Sequence, residues 1–192
     1  YLVLLLNNTE MRPGGGFIGT YVTLQANKGD VDILKVEGTE RIDARTPASW
    51  NPKPIPILQE HLHVDKWYFR DSNWSPDFPS SAKKSLELYK GEGGIAADEI
   101  DTVVAFTTTV LEELLKITGP ITIQGITFDS DTGIEKLEYE VEYGFKKRGI
   151  AFADRKQIIE PFMLELMDHL TDDVFQNLDT YESALNKIAD EK

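Results

Sequence analysis

The chain has 192 residues, 41 % of them apolar, enough for one domain with a sizeable core. Its 33 acidic residues outnumber 20 basic ones, a formal net charge of −13. That excludes nucleic acid as a partner and disfavours broad attachment to an anionic membrane, although a local basic pocket remains compatible with it. No cysteine is present, which removes thiolate metal sites and cysteine nucleophiles.

The first predicted element is the continuously apolar run YLVLLL at 1–6, read as a central strand. After a polar turn and a glycine-rich stretch, FIGTYVTLQA at 17–26 is rich in β-branched and aromatic residues and alternates with a period near two. Asn27-Lys28-Gly29-Asp30 is turn chemistry, and DVDILKV at 30–36 alternates cleanly, so the two runs predict a hairpin. Residues 37–79 carry most of the prolines and read as a long irregular excursion.

A helix is predicted from Pro79, capped by Ser80 or Ser81 and ended by GEGG at 91–94. DTVVAFT at 101–107 predicts a buried strand. Thr109 to Ile117 predicts a helix stopped by Thr118-Gly119-Pro120. The short runs ITI and ITF, then KLEYEVEY at 136–143, read as further strands, the last with Leu137, Tyr139, Val141 and Tyr143 on one face. Asp154 is the expected cap of a helix whose face is Ile158, Ile159, Phe162, Met163, Leu166 and Leu170. Pro161 should kink that helix or mark its first turn. Asp179-Thr180-Tyr181-Glu182 fits a capping box for a final short helix. Mixed strands and helices in this order argue for α/β layers.

Gly14, Gly16 and Gly19 make G-x-G-x-x-G after a strand. A dinucleotide loop needs a helix next, to set the pyrophosphate on its N-terminus. Here a strand follows, so the nucleotide reading fails. Two readings stay open. The glycines allow a close backbone connection, or their N–H groups cradle an anion beside Arg12. The turn FDSDTG at 128–133 places Gly133 at position five of a calcium loop that starts at Asp129, where position six is required, and reads better as a plain turn. His61 and His63 read as a surface pair. The segment FRDSNWSPDFPSSA at 69–82 packs Arg70, Asp71, Asn73, Trp74, Asp77 and two prolines before a helix. Asp71 and Asp77 could hold a hard cation or orient an arginine, or Trp74 and Phe78 could plug the core. Lys146, Lys147, Arg148, Arg155 and Lys156 form the only dense cationic stretch. It suits a phosphate or carboxylate ligand, or a solvated edge.

The runs NNTEMRPGGGFIGT, DSNWSPDFPSSA and DTVVAFTTTVLEELLKITGPI resemble an uncharacterised bacterial envelope family, domain of unknown function 4012, across roughly residues 1–170. The resemblance implies a location outside the cytoplasm behind an N-terminal membrane helix, and hence a piece of a longer anchored chain. More remotely the order is similar to the LytR–CpsA–Psr family, whose enzymes move glycopolymers from a polyprenyl-pyrophosphate carrier using arginines, Mg²⁺ and an apolar tunnel. Leu6-Asn7-Asn8, Ile18-Gly19-Thr20, Glu40-Arg41-Ile42-Asp43, Lys146–Arg148 and Asp154-Arg155-Lys156-Gln157 fall on its motifs. Asn8 and Gly19 stand where that family keeps metal-binding acids, which puts catalysis in doubt.

The expectation is therefore a single α/β domain over 1–192, a mixed central sheet flanked by helices and LytR–CpsA–Psr-like. Its partner is an anionic lipid or cell-wall glycopolymer. The resemblance implies anion contacts from Arg12, Arg41, Arg148 and Arg155 with Gly14, Gly15 and Gly16, supported by Asn7 and Asn8. If the chain is an enzyme, Asp43, Asp71 or Asp77 would hold Mg²⁺. A ligand-free structural domain is the third reading. No catalytic residue is assigned.

Overall fold

A computed structural model describes residues 1–173 and 177–190. The chain gathers into two compact units, Tyr1–Thr107 and Thr108–Lys192. Together they make a mixed α/β protein, and the first unit holds a four-stranded mixed sheet. Among the described residues, no helix is long and apolar enough to cross a membrane.

In the first unit the strands β1 (Leu2–Asn7), β2 (Phe17–Asn27), β3 (Asp30–Gly38) and β4 (Val103–Thr107) form a sheet in the order β3-β2-β1-β4. β1 pairs antiparallel with β2 and parallel with β4. The apolar run at the start of the chain is thus an inner strand, as its unbroken hydrophobicity requires. The β2–β3 hairpin follows the predicted turn. β1 and β2 shift register between Leu5 and Leu6, where Leu5 faces Thr20 and Leu6 faces Ile18. Gly19 is the extra residue of this bulge. It lets Ile18 and Tyr21, three positions apart, share the face that Leu2, Leu4 and Leu6 present to the core.

Residues 37–79 are more ordered than their prolines suggest. They contain α1 (Thr39–Ala44), α2 (Pro56–Leu62) and a 3₁₀ turn, Phe69–Asp71. Pro56 sits in the first turn of α2, where its missing N–H costs nothing. α3 (Phe78–Gly91) is capped by Asp77, which accepts from the Ser80 N–H, so neither predicted serine is the cap. Phe69 fills the core, with Tyr21 at 5.5 Å and Tyr89 at 5.4 Å between ring centres. Phe78, one of the two expected plugs, is exposed, and Trp74 is only half-buried.

The second unit contains α4 (Thr108–Thr118), the hairpin β5 (Ile121–Ile123) and β6 (Ile126–Phe128), α5 (Gly133–Tyr139), a π-helical turn Glu140–Gly144, α6 (Phe145–Lys147), α7 (Ile159–Asp173) and α8 (Leu178–Asp190). KLEYEVEY is therefore helical. The buried side chains are Ile134, Val141 and Phe145, at spacings of seven and four, while Tyr139 and Tyr143 are exposed. Its apparent alternation came from tyrosines that do not enter the core. Phe128 and Phe162 meet edge-to-face at 5.4 Å inside this unit. Pro161 lies in the first turn of α7. Asp154 ends a separate 3₁₀ turn, Phe152–Asp154, so it does not cap that helix. α8 begins one residue before the predicted cap, Asp179.

Candidate functional site

The loop between β1 and β2 begins at Asn7. Asn7 Oδ1 accepts from Thr9 N–H at 3.0 Å and from the Thr9 hydroxyl at 2.7 Å, which turns the chain out of the sheet. Gly16 has φ +146°, and a side chain there would put Cβ 2.4 Å from the Asn7 carbonyl oxygen. A Cβ on Gly14 would stand 2.5 Å from the Asn73 carbonyl oxygen. Both glycines are thus required by close backbone approach. Asn73 donates from Nδ2 to the Gly16 carbonyl at 2.7 Å. The two motifs separated in sequence, RPGGG and DSNW, are clamped together in space.

Arg12 lies at the mouth of this loop. Its guanidinium sits 5.1 Å from the centre of the Phe17 ring and donates to the Met11 carbonyl at 2.9 Å. Its Nε is 3.9 Å from Asp71 Oδ1, an ion pair too long for a hydrogen bond. That Nε is buried and has no hydrogen-bond partner.

Behind the loop, Arg70 Nε donates to Asp43 Oδ2. Burial raises the Asp71 carboxyl above its ordinary range, with Arg12 and Arg70 opposing the shift and Asp43 adding to it. Glu92, which ends α3, uses Oε1 to accept from the Phe69 N–H at 2.8 Å. Its Oε2 and Asp43 Oδ1 are both buried, and no other donor reaches either. Burial, then the hydrogen bond and charge of Asp43, push Glu92 up to about 9. Burial also raises Asp43, against the pull of Glu92 and Arg70. Two buried carboxyls in contact hold a proton between them. Glu92 carries it at neutral pH and donates to Asp43 Oδ1, because the other Asp43 oxygen is committed to Arg70. With Glu92 neutral, two arginines balance Asp43 and Asp71.

Of the residues expected to bind an anion, Arg12 and Gly14–Gly16 are assembled here. Arg41 is exposed on α1, two positions from buried Asp43. Arg148 pairs with Glu140, and Arg155 stacks on Phe152 at 4.1 Å, both in the second unit. Of the expected metal ligands, Asp43 and Asp71 share the environment of Arg70, while Asp77 is spent on capping α3. Asn8 is exposed. Among the described residues, no group of three or more His, Asp and Glu side chains is arranged to hold a metal ion. Arg70 and Glu92 were missed as site residues. An Arg-Asp pair at 70–71 was the only available signal, and a glutamate between glycines reads as solvent-facing.

These features define a mixed α/β protein whose strand-to-strand glycine loop is locked against a buried arginine–carboxylate cluster. The chain belongs to the DUF4012 family, described as "Protein of unknown function", which matches residues 1–141. That match includes the whole cluster and stops before Arg148 and Arg155. No curated protein and no solved structure matches the chain.

Proposed function

We propose that the chain is an extracytoplasmic module of the cell envelope that binds a phosphorylated polyprenyl lipid or glycopolymer, with Arg12 and the N–H groups of Gly14 and Gly16 as the anion contact, the Gly15 N–H being donated to the Arg12 carbonyl at 3.1 Å. The observation that carries this reading is the unpartnered Arg12 Nε, held 3.9 Å from Asp71. Phe17 and the Met11 carbonyl fix the guanidinium while a charge-assisted donor stays unused. The Nε is buried against Asp71, and a fifth of the Arg12 side chain is exposed, so a phosphate oxygen would approach the side chain away from Nε. The location is what the DUF4012 resemblance implies, and the ligand class is what the remoter resemblance in sequence order to the LytR–CpsA–Psr family implies. Arg41 would extend the contact. Arg148 and Arg155, in the second unit, are separate candidates. Isothermal titration with geranylgeranyl pyrophosphate tests the reading. Saturable binding that weakens with salt is expected, and no heat of binding would count for a ligand-free structural domain.

The alternative is a metal-dependent glycopolymer phosphotransferase, favoured by Asp43 and Asp71 lying together with Arg70 and Arg12. Mg²⁺ is commonly held by one or two carboxylates plus substrate phosphates. Here Asp43 is already committed to Arg70 and Glu92, so the residues do not offer a preformed metal site and binding remains the first reading. Magnesium-dependent release of a glycopolymer from its carrier would reverse that order.

A further inference from the structure

The second unit carries a surface that the Arg12 contact does not use. α5, the π-helical turn and α6 run on without a break from Gly133 to Lys147. Tyr139 and Tyr143, one turn apart, lie with ring centres 5.9 Å from each other, and Tyr143 is 62 % exposed. Lys147 donates to the Tyr139 hydroxyl at 2.6 Å and stands 5.3 Å above its ring. Lys146 covers the ring of buried Phe145 at 5.6 Å. Phe145 in turn meets Phe152 at 6.0 Å, and Phe152, 66 % exposed, carries the Arg155 guanidinium on its face at 4.1 Å. These contacts make two groups, Tyr139–Tyr143–Lys147 and Lys146–Phe145–Phe152–Arg155, which meet along the chain at Lys146-Lys147.

We propose that Tyr139, Tyr143 and Phe152, with Lys146, Lys147 and Arg155 among them, form a face that lies on an anionic phospholipid surface. Charge complementarity selects this partner. Residues 143–156 hold five basic side chains and one acid, Asp154, in a chain of net charge −13. The acids that flank this segment in the sequence are Glu135, Glu138, Glu140 and Glu142 before it and Glu160 after it, and Glu140 pairs with Arg148. Large apolar rings left in water beside lysines and arginines are what an interface between headgroups and acyl chains takes up. The rings enter the boundary while the cations stay among the phosphates. Each basic side chain near an anionic surface adds to the attraction over a Debye length, so the net negative charge elsewhere does not cancel it. This inference goes beyond the Arg12 contact and does not depend on it.

Flotation with phosphatidylcholine vesicles, with and without phosphatidylglycerol and with no polyprenyl lipid, tests it. The protein is expected to float with the phosphatidylglycerol vesicles, to stay behind with phosphatidylcholine alone, and to be released by high salt. The pair Lys146→Glu and Lys147→Glu should weaken binding by roughly thirtyfold or more. Phe152→Ser, at a side chain two-thirds exposed, should weaken it with an unchanged thermal melt. Arg12→Ala should float like the parent chain, which separates this face from the proposed ligand contact. Failure to float, or equal floating of the Lys and Phe152 variants, overturns the proposal. So does binding to a soluble glycerol-phosphate polymer with none to vesicles.

Discussion

Glu92 and Asp43 hold one proton between them inside the first unit. Glu92 Oε1 is taken by the Phe69 N–H and Asp43 Oδ2 by Arg70, which leaves Glu92 Oε2 and Asp43 Oδ1 to each other. This contact ties the end of α3 to α1 and to the turn that delivers Phe69 to the core. It also sets the charge of the cluster behind Arg12.

Stability should therefore fall as pH rises through the window between the ordinary glutamate value of 4.5 and about 9. The unfolded chain has released the Glu92 proton there and the folded chain has not, so unfolding releases a proton. The limiting slope for one such group is about 1.4 kcal/mol per pH unit, with the contribution levelling off above the folded value. Glu92→Gln keeps a donor for Asp43 Oδ1 and an acceptor for Phe69. It should retain the fold and remove this part of the pH dependence. Urea denaturation of both proteins across the window checks it. Identical pH profiles would contradict the shared proton.

Gly16→Ala should destabilise the first unit by about 2–4 kcal/mol, since the added Cβ meets the Asn7 carbonyl in a left-handed backbone. Asn73→Ala should cost less, about 1–3 kcal/mol, through loss of the bond to the Gly16 carbonyl. Thermal unfolding of the two variants gives the comparison. A Gly16→Ala variant as stable as the parent would show that the loop is not held this closely.

Arg45 grips buried Glu37 with two bonds, at 2.8 and 2.6 Å, and Tyr21 donates to the same carboxylate at 2.8 Å. Burial alone would raise Glu37, but the bonds from Arg45 and Tyr21 outweigh it and hold the carboxylate below its ordinary range. Its contribution is present at neutral pH and is lost as pH falls through that lowered value. Arg45→Ala should cost about 1–3 kcal/mol, short of a fully buried pair because over half of the Arg45 side chain is exposed. The loss should shrink in acid. Chemical denaturation at neutral and acidic pH reads both effects.

The sheet was legible because its signals are local. β1 announces itself by unbroken apolarity, and β2 and β3 by alternation around Asn27-Lys28-Gly29-Asp30. α2 was hidden by prolines, one of which starts it, and α1 is only six residues long. The strand assigned to KLEYEVEY failed because two exposed tyrosines mimicked a buried face. At the site, Arg12 and its glycines stood out as a motif. The Arg70–Asp43 pair spans 27 positions and the Glu92–Phe69 bond 23, and no local pattern encodes such partners.

The most direct test of the proposed function is calorimetric titration of geranylgeranyl pyrophosphate into the parent chain and into Arg12→Ala. The account predicts saturable binding by the parent. In the variant it predicts affinity weakened roughly tenfold or more, the range for a lost charge-assisted bond, together with a lowered thermal stability, since buried Asp71 loses its Arg12 partner. Equal affinity in both proteins, or no binding by the parent, would contradict it.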